Sequence, residues 1–163
     1  MTRILGVDPG SQSTGYGLVE VHNGAPRYLD CNTIRPGRTK SLPDRLLAIH
    51  DGLAAIIAEH LPEVVAVETA FYHKSAQSTL VLGHVRGVIL LSARKAGLPV
   101  DEYAPRDIKV AVTGSGNAAK EQVAFMVRGI LGLTEDQAPS LDATDALAVA
   151  LCHWQRSRAR AAP

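Results

Sequence analysis

The sequence predicts an α/β domain, a mixed sheet covered by helices, and three observations carry that expectation. Residues 4–7 and 64–67 are short β-branched or aliphatic runs, too short for helices and apolar on both faces, as buried strands are. Residues 14–22 and 27–34 alternate in the manner of strands and are joined through Asn23-Gly24, the dipeptide best suited to a tight type I′ hairpin. Further along, strand-like and helix-like stretches alternate. With 163 residues, 46% of them hydrophobic, 20% charged and a mean hydropathy of +0.04, the chain can bury one core as a soluble globular protein.

Each element has its own signal. Residues 3–8 form a strand that stops at Asp8-Pro9-Gly10, because proline cannot continue a ladder. From 42 to 60, Leu42, Leu46, Leu47, Ile49, Leu53, Ile56 and Ile57 recur at helical spacing, and Pro62 closes the segment. Val64–Glu68 repeats the first pattern, again ending on a carboxylate. Residues 75–96 have helical length without proline, yet apolar side chains surround the axis from Leu80 to Leu91. Such a helix is buried on most sides. In a thin domain this implies either a second surface, reached through Gly83 and Gly87 and covered by a partner subunit, or a central helix covered by its own chain. A strand is expected over 100–103 and helices over 106–112, 118–131 and 141–155. The domain is placed at 1–156, and 157–163 is expected to be a basic, flexible tail.

Composition narrows the function. The 17 basic and 16 acidic residues sum to +1, which by itself implies no polyanion partner. Their distribution is uneven: between Thr69 and Thr134 eight basic residues stand against four acidic ones, and Arg156, Arg158 and Arg160 follow the last acid, Asp145. Cys31 and Cys152 belong to no CxxC pair, so neither a zinc site nor a disulfide framework is expected, and a reducing cytoplasm fits. No signal peptide or membrane-spanning segment is expected.

The carboxylates carry the chemistry. If residues 4–8 and 64–68 pair in parallel, Asp8 and Glu68 emerge side by side. Asp142 and Asp145, three apart, share a face of the last helix. Four acids packed together raise one another's proton affinity unless a cation sits among them. An all-oxygen set suits Mg²⁺ or Mn²⁺. Two such ions about 3.5–4 Å apart promote phosphodiester hydrolysis. Each acid also has a plain structural account: Asp8 as a turn opener, Asp142 or Asp145 as helix-dipole partners, Glu68 as the mate of an arginine.

Gly6-Val7-Asp8-Pro9-Gly10-Ser11 with Thr14-Gly15-Tyr16-Gly17, then Val67-Glu68 with Phe71, then Gly83 to Gly87, then Asp142-Ala143-Thr144-Asp145-Ala146-Leu147-Ala148 closely resemble the RuvC family of bacterial Holliday-junction resolvases. The likeness spans essentially the whole chain. It implies a ribonuclease-H-like fold with a five-stranded mixed sheet flanked by helices, acting as a homodimer. It implies a structure-selective endodeoxyribonuclease of DNA recombination and repair that resolves four-way junctions by paired symmetric nicks. It implies two Mg²⁺ per subunit, with Mn²⁺ able to substitute, held by Asp8, Glu68, Asp142 and Asp145. Partnership with the RuvA–RuvB branch-migration complex and a cytoplasmic location are implied in the same way. A two-fold dimer also presents two identical sites to two opposed strands of a junction.

Lys120 falls in the first turn of a helix, where the dipole disfavours a cation. The resemblance turns Lys120 and Lys109 toward the DNA and the scissile phosphate, and makes Phe71 a ring that stacks on an unpaired base. Lys74 and Arg86 are further candidate phosphate contacts, with a solvated helix face as their alternative. The rival readings are weaker. Gly114-Ser115-Gly116-Asn117-Ala118-Ala119 fits a dinucleotide loop but follows a strand too closely to open a βαβ unit. Asp8 with its glycine-rich turn resembles the phosphate loop of actin-like ATPases, which need two such domains. Intact acids at all four positions count against a nuclease-dead DNA-binding scaffold, and a nuclease for RNA–DNA hybrids or another branched substrate is the enzymatic alternative.

Overall fold

The computed structural model describes residues 1–38, 40–69, 75–134, 137 and 140–161. Its elements run β1 (Thr2–Asp8), β2 (Thr14–His22), β3 (Ala25–Ile34), α1 (Leu42–His60), β4 (Val64–Glu68), α2 (Ala76–Lys95), β5 (Val100–Tyr103), α3 (Pro105–Thr113), α4 (Lys120–Leu131) and α5 (Leu141–Ala161). The five strands form one sheet in the order β3-β2-β1-β4-β5. β1, β2 and β3 pair antiparallel, whereas β1, β4 and β5 pair parallel, with Val7 opposite Val67. This is the expected five-stranded mixed sheet flanked by helices.

Strand alternation divides the core into two layers. Leu5, Val7, Leu18, Val65 and Val67 face α1 and α2, where Ile49, Leu53, Val85 and Ile89 cover them. Ile4, Val19, Val64 and Ala66 face α5 and the α3–α4 pair. The local signals act as expected. Asn23 and Gly24 both take positive φ, 51° and 80°, the requirement of a type I′ turn. Ser41 caps α1 by accepting from Asp44 N, and Ser75 caps α2 by accepting from Ser78 N.

Three differences have physical reasons. α4 begins at Lys120 rather than 118, with Gln122 Oε1 accepting from Ala119 N to start it. α5 continues to Ala161 instead of ending near 155, so the basic residues placed in a flexible tail lie on a helix. Arg156 pairs with Asp107 at 2.9 Å, Arg160 approaches Asp101 at 3.6 Å, and Arg158 lies over the Trp154 ring. α2 is buried on one side only: Leu82, Val85, Ile89 and Ala93 enter the core while Leu80 and Leu91 are exposed. By length and hydropathy alone α2 is also long and apolar enough to cross a membrane, a test that a core helix of a soluble protein passes equally. Packing of its other side into the core is the alternative such a helix has.

Candidate active site

α5 reaches the sheet through a strip without side chains. Gly6 on β1 stands opposite Gly17 on β2, and Gly15 stands opposite Asp8. A Cβ on Gly6 would overlap the Ala146 carbonyl and lie 2.7 Å from Ala150 N, and one on Gly15 would overlap the Asp142 carbonyl. Helix backbone therefore rests directly on sheet backbone, a close approach that only glycine permits. Ser140 fixes the start of α5 by accepting from Ala143 N at 3.2 Å. This contact carries the last helix, with its two acids, to the ends of β1 and β4.

Asp8 and Glu68 follow the paired residues Val7 and Val67 in adjacent parallel strands, so they do emerge together. They share a side-chain hydrogen bond. Burial, then the Glu68 carboxylate, then Asp145 and Asp142 push the Asp8 carboxyl far above the usual carboxylate range. Burial is also the first cause that raises Glu68, opposed by the bond from Asp8 and by Lys120 and Lys109. Burial and mutual repulsion thus disfavour the fully ionised pair. Asp145 Oδ2 instead accepts from Lys120 Nζ at 3.0 Å, and this bond raises the lysine's pKa.

Asp8, Glu68, Asp145, Lys109 and Lys120 line one cleft of about 90 Å³ together with Pro105, Ile108, Val123 and Ala148. The cleft is narrow and brings these acids and the two lysines together. Asp142 does not line the cleft and acts on Asp8 through its field. Among the described residues, no three His, Cys, Asp or Glu side chains gather around a single point as metal ligands. The chemistry of the set nevertheless fits a hard cation: every donor is a carboxylate oxygen, the acids crowd one another so that a positive charge among them is favoured, and an ammonium already sits on Asp145.

The other sequence candidates distribute differently. Arg86 pairs with Glu102 on β5 and lies outside the cleft. Phe71 and Lys74 lie outside the described residues. The glycine-rich loop at 114–119 joins two helices, with Gly114 closing α3 at φ 78°, so the strand that a dinucleotide-binding turn needs is not there. Sequence reasoning missed Thr69, whose N–H and hydroxyl both donate to Tyr103 O and lock β4 to β5 directly after Glu68. It also missed the buried Tyr103–His153 hydrogen bond of 2.9 Å behind the site. Neither has a signal in local sequence, because both partners are far apart in the chain.

Comparison with known proteins agrees with this geometry. Residues 4–153 match the family model for crossover junction endodeoxyribonuclease RuvC. A crossover junction endodeoxyribonuclease RuvC from Halorhodospira halophila is 53% identical over 154 residues, covering 94% of this chain and 90% of that protein. One from Chlorobaculum parvum is 50% identical, covering 94% and 81%. Among solved structures, Thermus thermophilus RuvC in complex with Holliday junction substrate superposes with a TM-score of 0.90 at 37% identity, over 98% of this chain and 97% of that one. The yeast mitochondrial Holliday junction resolvase, 16% identical with a TM-score of 0.69, shares the fold. The chain belongs to the RuvC family of crossover junction endodeoxyribonucleases.

Proposed function

We propose that this chain resolves four-way DNA junctions by paired symmetric nicks, as a metal-dependent endodeoxyribonuclease. The observation that carries the reading is the convergence of Asp8, Glu68, Asp145, Lys109 and Lys120 on one narrow cleft, in a chain half identical to named junction endonucleases. Asp8, Glu68, Asp142 and Asp145 would hold two Mg²⁺ ions, with Mn²⁺ as a substitute. When bound, such ions activate a water and stabilise the leaving oxygen of a phosphodiester. The chain's own residues prepare the rest. Pro105, Ile108 and Val123 wall the cleft with apolar surface, which strengthens every charge interaction inside it. The Lys120 side chain is 63% exposed, and Lys109 shares the cleft, so both can meet a phosphate at the mouth.

The outward face of α2 supports a homodimer. Its outward face, with Leu80, Leu91, Gly83 and Gly87 above Leu46 of α1, is an apolar groove among polar surroundings. A second copy of the same face would cover it and set two clefts about a two-fold axis. Light scattering should then give twice 17.3 kDa, and a monomer at micromolar concentration would remove this account. Association with the RuvA–RuvB complex and work in the cytoplasm belong to the same proposal.

The test is a labelled four-way junction beside a linear duplex and an RNA–DNA hybrid, each with Mg²⁺, Mn²⁺ or chelator. Symmetric, metal-dependent nicks confined to the junction are expected. Cutting of the hybrid alone would move the function to hybrid hydrolysis, and tight binding without cleavage would make the chain a scaffold.

A further inference from the structure

A pocket of about 500 Å³ lies outside the catalytic cleft and shares no residue with it. One wall is the loop 10–13, which leaves β1 directly after Asp8. Arg45 of α1 and Gln77 and Ser78 of α2 form the others. Among the described residues no carboxylate lines this pocket, and the first turn of α2 carries no acid. The Arg45 guanidinium is held at one end only. Its Nη1 donates to Ser11 O at 3.3 Å, whereas its Nε is buried with no partner among the described residues. Ser13 Oγ is buried and unpartnered in the same way. Gln12 Oε1 accepts from Arg38 Nε at 3.2 Å, which leaves the Gln12 amide NH₂ as a donor and brings a second cation to the loop.

Buried polar groups are ordinarily paired, and charged ones above all. Arg45 Nε and Ser13 Oγ are covered and do not themselves open onto the pocket, but the Arg45 side chain lines it together with Gln12 and Ser78, and among the described residues no acid does. An oxyanion carrying several acceptor oxygens satisfies that set, and a phosphodiester is the one that a DNA-cutting enzyme meets. Ser11 follows Asp8 by three residues, at most about 11 Å of extended chain. With successive phosphates about 3.4 Å apart along the helix axis, the pocket falls within about three nucleotides of the cut.

We propose that this pocket seats a backbone phosphate of the strand being cut, with Arg45 as its anchor, a site that rests on the junction-cleaving reading and adds to its basic residues. Each phosphate neutralised on duplex arms contributes about 0.9 to the slope of log affinity against log salt. In chelator, Arg45→Ala removes one contact from each protomer of the dimer, so it should lower that slope by about 1.8 and weaken junction binding about sixtyfold at 0.1 M salt. Arg45→Lys, which keeps the charge, should retain the slope. Replacing the equivalent phosphates near the cut on both opposed strands by uncharged methylphosphonates should reveal one position that weakens the wild type as much as Arg45→Ala does and weakens that variant no further. An unchanged slope in Arg45→Ala would overturn the site, including where affinity or melting temperature falls, because such a fall would mark a merely structural bond to Ser11. Equal sensitivity of wild type and variant at every methylphosphonate would overturn it too. Wild-type protein without preference for the junction would refute the junction reading itself, a distinguishable result.

Discussion

Gly6→Ala tests the contact on which the site is built. The new Cβ would overlap the Ala146 carbonyl and sit 2.7 Å from Ala150 N, where ordinary contact begins near 3.4 Å. Both obstacles are helix backbone, so no side chain can swing away and α5 must retreat from the sheet by about 1 Å. Overpacking of this kind costs about 1–3 kcal/mol, and backbone against backbone belongs at the upper end. For a chain of 163 residues, about 3 kcal/mol is a fall of roughly 6–12 °C in Tm. The same retreat separates Asp142 and Asp145 from Asp8 and Glu68, and a misplacement of about 1 Å costs on the order of 10²-fold in rate. Differential scanning calorimetry and single-turnover cleavage of a junction at saturating protein read the two effects. Gly129→Ala on α4 is the matched control, since a Cβ there meets nothing within 4 Å and should stabilise by about 0.5–1 kcal/mol. A Gly6→Ala protein that melts within about 2 °C of wild type and cleaves within about twofold of it would refute the account of α5 resting on bare sheet.

Three further outcomes are expected. Asp8→Asn should abolish cleavage and keep junction binding, and in chelator it should raise Tm, since it removes a buried carboxyl crowded by Glu68, Asp145 and Asp142. Equal loss of binding and cleavage would refute the division between the acids and the basic surface. Lys120→Ala should lower the single-turnover rate more than the affinity, and an unchanged rate would remove its role at the phosphate. His153 is buried against Tyr103, and burial lowers its pKa from the ordinary 6.5 despite Asp101 nearby, with Arg160 adding to the fall. The folded chain therefore binds this proton less readily than the unfolded one. Its contribution is complete above about pH 6.5 and is lost as the pH falls through the folded pKa, so His153→Gln should show a smaller fall in Tm between about pH 7.5 and 5 than wild type. The same acid sensitivity in both proteins would contradict it.

Much of the site is legible in the sequence because its parts are local. Asp8 and Glu68 each close a buried strand, and parallel pairing of those strands follows from their apolar runs. Asp142 and Asp145 share a helix face by spacing alone, and Lys120 stands out as a cation in a first turn. What the glycines of the opening motif do is not legible, because the backbone they admit lies some 130 residues further along the chain. The length of α5 escapes for a like reason: Arg156 and Arg160 find their acids on α3 and β5, whereas a window on the tail sees only arginines. Arg45 reads as a charged position on an amphipathic helix until the loop 10–13 folds over it.

Acids forced together favour an open site over a closed one, so the scaffold must hold them against their own repulsion. Here the opposing framework is distributed over elements that have no part in the chemistry. Two strands in register deliver one pair, Thr69 pins the second strand to its neighbour, and a capped 21-residue helix lying on bare sheet delivers the other pair. Lys120 comes from a separate helix and is the most exposed member of the cluster, so it can exchange Asp145 for a phosphate without disturbing that framework. Substitutions in the framework should therefore change stability and rate together, substitutions of the acids should trade one against the other, and substitutions of the exposed cations should change only what happens at the DNA.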